Sequence, residues 1–245
     1  MYKGVTMNIY VATRHGIHKT NNEDRIIVGK SVIADGEYSL QLENGVIAIA
    51  DGVGGNNAGA VASQFLADKL CDVTEITSVV FENINDELIA LSKSDPAYSG
   101  MATTLSGICV SDNCTILFSV GNTRVYQLQS KKYLKQLTTD DTTLNYLLST
   151  GRLKPSEVDD FDRKNEITAC FGGGDANMLK MKISKLSTIS CPIMITSDGV
   201  HDHLSADQME EIIEEYGISE LTCRKIIEAA ISCGSQDDIS ILFGV

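Results

Sequence analysis

The order in which apolar periodicities follow one another constrains this chain more than any other feature. Segments that are β-branched or alternate apolar with polar residues, bounded by turn residues, come in runs. MNIYVAT, DRIIVG, SVIA, YSLQL and GVIAIA form the first run; ATTLSGICV, CTILFSV, TRVYQL and YLKQL the second; MLKMKIS, PIMITS and DISILFGV follow. Helical patterns interrupt in pairs. NAGAVASQFLADKLCDV and VVFENINDELIALSK come early, the latter with Phe81, Ile84, Leu88 and Leu91 on one face. ADQMEEIIEEY, opened by the capping pair Ser205 and Gln208 and ended at Gly217, and ELTCRKIIEAAISC, capped by Ser219 and ended by Gly234, come late. Runs of strands with segregated helix pairs predict α+β layers rather than a parallel sheet.

Only three prolines occur, and neither a low-complexity linker nor a repeat divides the chain, so a single domain over residues 1–245 is expected. Residues 138–174 mix a short helix ending near Gly151, a Pro155-Ser156 turn and charged loop, the signature of a surface insertion beside a site. An excess of 33 acidic over 20 basic residues, a net charge of -13, argues against gripping nucleic acid or an anionic membrane and suits cations instead. No apolar run reaches the length of a membrane span and the start lacks a signal-peptide pattern, so a cytoplasmic protein is expected. The seven cysteines lack any CxxC spacing and sit mostly in apolar stretches, as buried reduced thiols do.

Carboxylates end or begin several of these strands. GVIAIA runs into Asp51-Gly52, PIMITS into Asp198-Gly199, Glu23 and Asp24 precede RIIVG, and Asp237 and Asp238 precede ISILFGV. A single Asp-Gly is ordinarily a turn. Four such sites whose strand ends converge would crowd negative charge until cations neutralise it, and hard oxygen donors select Mg²⁺ or Mn²⁺. Two cations activating a bridging water for attack on phosphorus is chemistry this composition supports. Phosphate-loop, nucleophile-elbow and HExxH patterns are absent. His15, His18, His201 and His203, in two close pairs without a cysteine nearby, read as solvated or hydrogen-bonding groups rather than zinc ligands.

In order, HKTNNEDR (18–25), ADGVGGNNAG (50–59), GMATT (100–104), SVGNTRVYQL (119–128), QLTTDD (136–141), NEITACFGGG (165–174), TSDGVHD (196–202) and QDDISIL (236–242) resemble the metal-dependent protein phosphatases of type 2C in their compact bacterial form. The resemblance implies a four-layer α-β-β-α sandwich with two central antiparallel sheets and a flap insertion at about 138–174. It implies two Mn²⁺ or Mg²⁺ ions, with Asp51 bridging both, Gly52 offering its carbonyl, Asp198 and Asp237 completing the second ion, and Glu23 and Asp24 holding metal-bound waters. Asp51, Asp198 and Asp237 then carry catalysis, and Asp202 matches a third-ion or outer contact.

Several positions depart from the family pattern. Lys19 stands where the family usually has a phosphate-clamping Arg, keeping the charge without the two-point grip. Val53 replaces a His found in animal members, Asp238 stands where Asn is common, and two flap histidines are missing. Asn122 replaces the Asp of GDSR, which implies a weak or empty third ion site. The expected activity is metal-dependent hydrolysis of phosphoserine and phosphothreonine in proteins by direct attack of a metal-bridging hydroxide. The expected partners are a phosphorylated protein substrate and a cognate Ser/Thr kinase, with no nucleic acid and no membrane. The alternative is a pseudophosphatase that binds a phosphorylated partner without turnover.

Overall fold

The alternating segments pair only antiparallel, as segments joined by short turns do. The computed structural model describes residues 6–54, 58–73, 75–111, 114–186 and 191–245. Its strands are β1 (Met7–Arg14), β2 (Asp24–Val28), β3 (Ser31–Ile33), β4 (Gly36–Leu42), β5 (Gly45–Val53), β6 (Ala102–Thr103), β7 (Leu105–Val110), β8 (Thr115–Val120), β9 (Arg124–Gln129), β10 (Tyr133–Gln136), β11 (Phe171–Gly172), β12 (Lys182–Leu186), β13 (Ile193–Thr196) and β14 (Ile239–Gly244). Its α-helices are α1 (Ala58–Cys71), α2 (Ser78–Ser94), α3 (Thr143–Ser149), α4 (Asp198–His201), α5 (Ala206–Tyr216) and α6 (Glu220–Ser232). Gly55, Asn56 and Asn57, including the expected start of the first helix, lie outside the described residues, as do residues 1–5.

One sheet has six strands in the order β10-β9-β13-β14-β1-β4; the other has eight, β11-β6-β5-β7-β8-β12 with the β2–β3 hairpin branching from β5. Because side chains alternate between faces, each sheet buries both. Ile9, Val11, Ile26, Ile47, Ile49, Ile195 and Leu242 form the apolar layer between the sheets. Outside the eight-stranded sheet, α1 and α2 bring Leu66, Phe81 and Leu88 onto Ala48, Phe118 and Phe171. Outside the six-stranded sheet, α5 and α6 bring Met209, Ile213 and Ile226 onto Tyr126, Met194 and Phe243. The result is the expected α-β-β-α sandwich.

The capping box of Ser205 and Gln208 forms as the sequence implies. Two details were not legible. ATTLSGICV divides at Thr104, whose amide leaves the ladder to bond the Asp51 carbonyl at 2.8 Å. SDGVH coils into the single turn α4 directly beyond β13. The 138–174 segment holds α3 and returns to the sheet at β11, where Phe171, fully buried, packs edge-on against Phe81 with ring centroids 5.9 Å apart. Burial of a phenylalanine contributes about 1.5–3 kcal/mol, enough to pin the end of this insertion. Among the described residues no helix is long and apolar enough to cross a membrane.

Candidate metal centre

Register assembles the carboxylates. Asp24 and Asp51 are directly opposed across β2 and β5, so one sheet delivers both at the same strand end. In the other sheet β13 and β14 run antiparallel with Thr196 opposite Ile241. Asp198, just past β13, and Asp237 and Asp238, just before β14, therefore leave their strands at one end too. Two glycines let the backbones close in. A Cβ on Gly52 would stand 2.3 Å from the Gly59 carbonyl oxygen, and one on Gly199 would stand 2.0 Å from that of Asp238. Asp51 is further fixed through its carbonyl, which accepts from Thr104 N and, at 2.9 Å, from Thr103 Oγ1.

The negative charges feel one another. Burial, then Asp198, Asp24 and Asp237, hold Asp51 well above the ordinary carboxylate pKa. Asp24 is pushed up to about 8 by burial, with Asp238 and Asp198 adding to the rise. The Ser240 and Ser197 hydroxyls offset part of it without a hydrogen bond of normal geometry, for neither Asp24 oxygen has a partner. Asp198 is also raised, by burial and then Asp237, although it accepts from Asn122 Nδ2 at 2.9 Å. Glu23 lies beside Asp24, its carbonyl accepting from Ser63 Oγ at 2.5 Å and from Gly52 N at 3.2 Å.

The side chain of Asp238, 3% exposed, is the best-satisfied carboxylate of the group. It accepts from Gly16 N at 2.9 Å, Glu23 N at 2.8 Å and Lys19 Nζ at 3.0 Å. Lys19 Nζ also donates to Asp237 Oδ1 at 2.6 Å and Glu23 Oε2 at 3.3 Å. Burial opposes the charge on Lys19, but its bonds to Asp237 and Asp238 outweigh that and raise its pKa.

Around this centre stand residues the sequence did not single out. Thr13, Asn22, Ser197 and Ser240 form a buried polar layer; Thr13 Oγ1 meets Ser240 Oγ at 2.6 Å, and Asn22 Nδ2 donates to Thr13 at 2.8 Å. The position of Asn22, two before Asp24, was the available signal, because an Asx side chain bonds the backbone two residues on; it does so here at 2.9 Å. From the flap, Asn165 Nδ2 donates to Asp202 Oδ2 at 2.5 Å. His201 is buried rather than solvated, its Nδ1 bonded with Thr196 Oγ1 at 2.8 Å and its Nε2 without a partner; burial and then Arg124 keep it neutral. Of the cysteines, only Cys170 and Cys223 are buried; Cys71, Cys109, Cys114 and Cys191 are half-buried and Cys233 is exposed.

These donors fit hard divalent cations. Asp24 presents two buried oxygens without a hydrogen-bond partner, and Asp51 and Asp198 are raised by burial and then by neighbouring carboxylates, so positive charge there relieves both penalties. Among the described residues no three His, Cys, Asp or Glu side chains already form a ready ligand set; Asp237 and Glu23 are engaged by Lys19.

No family model matches the chain. It is 27% identical over 248 residues to the protein phosphatase PhpP of Streptococcus pneumoniae, covering 96% of each. It is 27% identical over 249 residues to the serine/threonine phosphatase stp of Listeria monocytogenes, covering 96% of this chain and 94% of the other. The solved Mycobacterium tuberculosis serine/threonine phosphatase PstP/Ppp superposes with a TM-score of 0.81 at 24% identity over 98% of both chains. Over nearly its whole length the chain is thus similar to bacterial serine/threonine protein phosphatases. The catalytic domain of the serine threonine protein phosphatase PstP, solved in complex with two manganese ions, matches this chain with a TM-score of 0.75 at 24% identity over 98% of each chain. Beside Gly52, Val53 is 39% exposed.

Proposed function

We propose that this phosphatase hydrolyses phosphoserine and phosphothreonine in proteins with two Mn²⁺ or Mg²⁺ ions held by its junction of strand ends. The supporting observation is the pair Asp24 and Asp51, opposed in register and both raised by burial and by neighbouring carboxylates, with neither oxygen of Asp24 partnered. Asp51 would be shared between the ions, with the Gly52 carbonyl, Asp198 and Asp237 as further ligands and Glu23 and Asp24 in the outer positions. Bound there, the ions supply Lewis acidity and a water acidic enough to attack phosphorus near neutral pH. Thr103, Thr104 and Asn122 hold Asp51 and Asp198 in place, so that the carboxylates reorganise little when charge moves. Lys19, on its flexible stem at the mouth, would meet the substrate phosphate. The catalytic unit is read as one domain over 1–245 with residues 138–174 as its flap, joined to the site through Asn165 and Asp202.

The free thiols suit a reducing compartment, hence cytoplasmic phosphoproteins and a cognate Ser/Thr kinase as partners. The test is hydrolysis of p-nitrophenyl phosphate and a phosphothreonine peptide with Mn²⁺, Mg²⁺ or EDTA, alongside Asp51→Asn and Asp198→Asn. Metal-dependent turnover lost in both variants is expected. A second reading, a pseudophosphatase, is favoured by Lys19 lying on Asp237 and Asn122 on Asp198. It predicts tight Mn²⁺ binding by calorimetry with hydrolysis at background.

A further inference from the structure

Asp237 Oδ1 is already a crowded acceptor. It takes the Lys19 ammonium at 2.6 Å and the Asp238 amide at 2.8 Å, while Lys19 is tethered at its other contacts to Glu23 and to the buried Asp238. The tether is firm because Asp238 itself is fixed by two backbone amides, Gly16 N and Glu23 N. Lys19 is the one side chain among the described residues that places a cation on this end of the centre; Asp24, Asp51 and Asp198 have none. Two donors already fill that oxygen, so a divalent ion binding Asp237 through Oδ1 must displace the ammonium or the amide, and an ion arriving at Asp237 meets a like charge a few ångströms away.

We propose that Lys19 is an internal cation that competes with a divalent ion for Asp237, so that ion loading and release of the Lys19 ammonium are a single exchange. The proposal rests on the two-ion reading of the centre. It makes Lys19 a residue that sets ion affinity: it neutralises Asp237 until an ion displaces it, and only then is its ammonium available to a phosphate. Binding of ion and of phosphate are thereby coupled through one side chain, each state of which satisfies a different set of carboxylates. Nothing is transferred covalently; one cation replaces another on Asp237, while Lys19 Nζ keeps its bond to Asp238 Oδ2 and frees the donor that Asp237 had taken.

Calorimetric titration with Mn²⁺, without substrate, tests this on Lys19→Met and on Lys30→Met. The second variant removes the same charge at the exposed far end of the β2–β3 hairpin. Removing the unit charge that Lys19 places on Asp237 is expected to tighten Mn²⁺ binding about tenfold or more in Lys19→Met. Lys30→Met stays within about twofold of wild type, because screening removes effects at that range. Lys19→Met also melts below wild type in EDTA, and the gap closes at saturating Mn²⁺, since the ammonium and the ion stabilise the same oxygen. Equal Mn²⁺ affinity in wild type and Lys19→Met, or an equal gain from Lys30→Met, overturns the proposal while leaving the two-ion reading standing. If neither wild type nor Lys19→Met binds Mn²⁺, the two-ion reading itself has failed and the proposal falls with it.

Discussion

Asp24 and Asp238 are both buried carboxylates at the junction of the two sheets, and they are satisfied in opposite ways. Asp238 accepts two amides and an ammonium, whereas neither oxygen of Asp24 has a partner. A carboxylate with three donors is part of the scaffold; one with none is held at a cost that a proton or a cation relieves. The same division runs through the whole centre. The half delivered by β2 and β5 is short of positive charge, and the half that precedes β14 brings its own in Lys19. Burial alone therefore does not distinguish these acids; their partners do.

Substitution can break this contrast at its strongest point first. Asp51→Asn, which weakens the acceptor most surrounded by like charge, is expected to lower Mn²⁺-dependent p-nitrophenyl phosphate hydrolysis about a thousandfold, roughly 4 kcal/mol of barrier. A variant keeping more than a tenth of wild-type turnover would move the chemistry off this pair. Asp238→Asn removes a charge that Lys19 and two amides depend on. It should cost about 2 kcal/mol in a denaturant melt, less than for a wholly buried pair because Lys19 is one-third exposed.

Asp24→Asn should do the reverse. In EDTA it is expected to stabilise the fold by about 1 kcal/mol, since it withdraws an unpaired buried carboxylate. A melt showing loss in place of gain would place Asp24 with the scaffold. The pH dependence follows from the same group. Its folded pKa of about 8 lies above the ordinary 3.8, so between those values the folded state binds a proton that the unfolded chain does not. Stability in EDTA therefore falls as pH rises through that window, and the rise in melting temperature given by Mn²⁺ grows from about pH 5.5 to pH 8. A constant Mn²⁺ increment would exclude Asp24 from the ion-linked group. The smallest effect is expected at Asn122→Asp, which restores an acid beside Asp198; calorimetry should register one additional weak Mn²⁺ equivalent, with a dissociation constant on the order of millimolar.

Asp51, Asp198, Glu23, Asp24 and Asp237 were legible because each stands at the end of an apolar strand, a pattern that survives in one dimension. Lys19 was legible only as a charge. Its attachment to Asp237 and Asp238 joins residues 218 and 219 positions apart, and no local rule reports such a contact. The polar layer of Thr13, Asn22, Ser197 and Ser240 was hidden for the same reason, since isolated Ser and Thr within apolar strands carry no period of their own.

What the sequence determined by itself is the layering: strand runs, segregated helix pairs and capping residues act locally, through periodicity and backbone hydrogen bonding, and the sandwich follows from burying their apolar faces. Only the tertiary structure decided which carboxylates lack a partner and which is already answered by a lysine. That depends on how two sheets meet at their strand ends, where the close approach at Gly52 and Gly199 fixes distances between segments far apart in the chain.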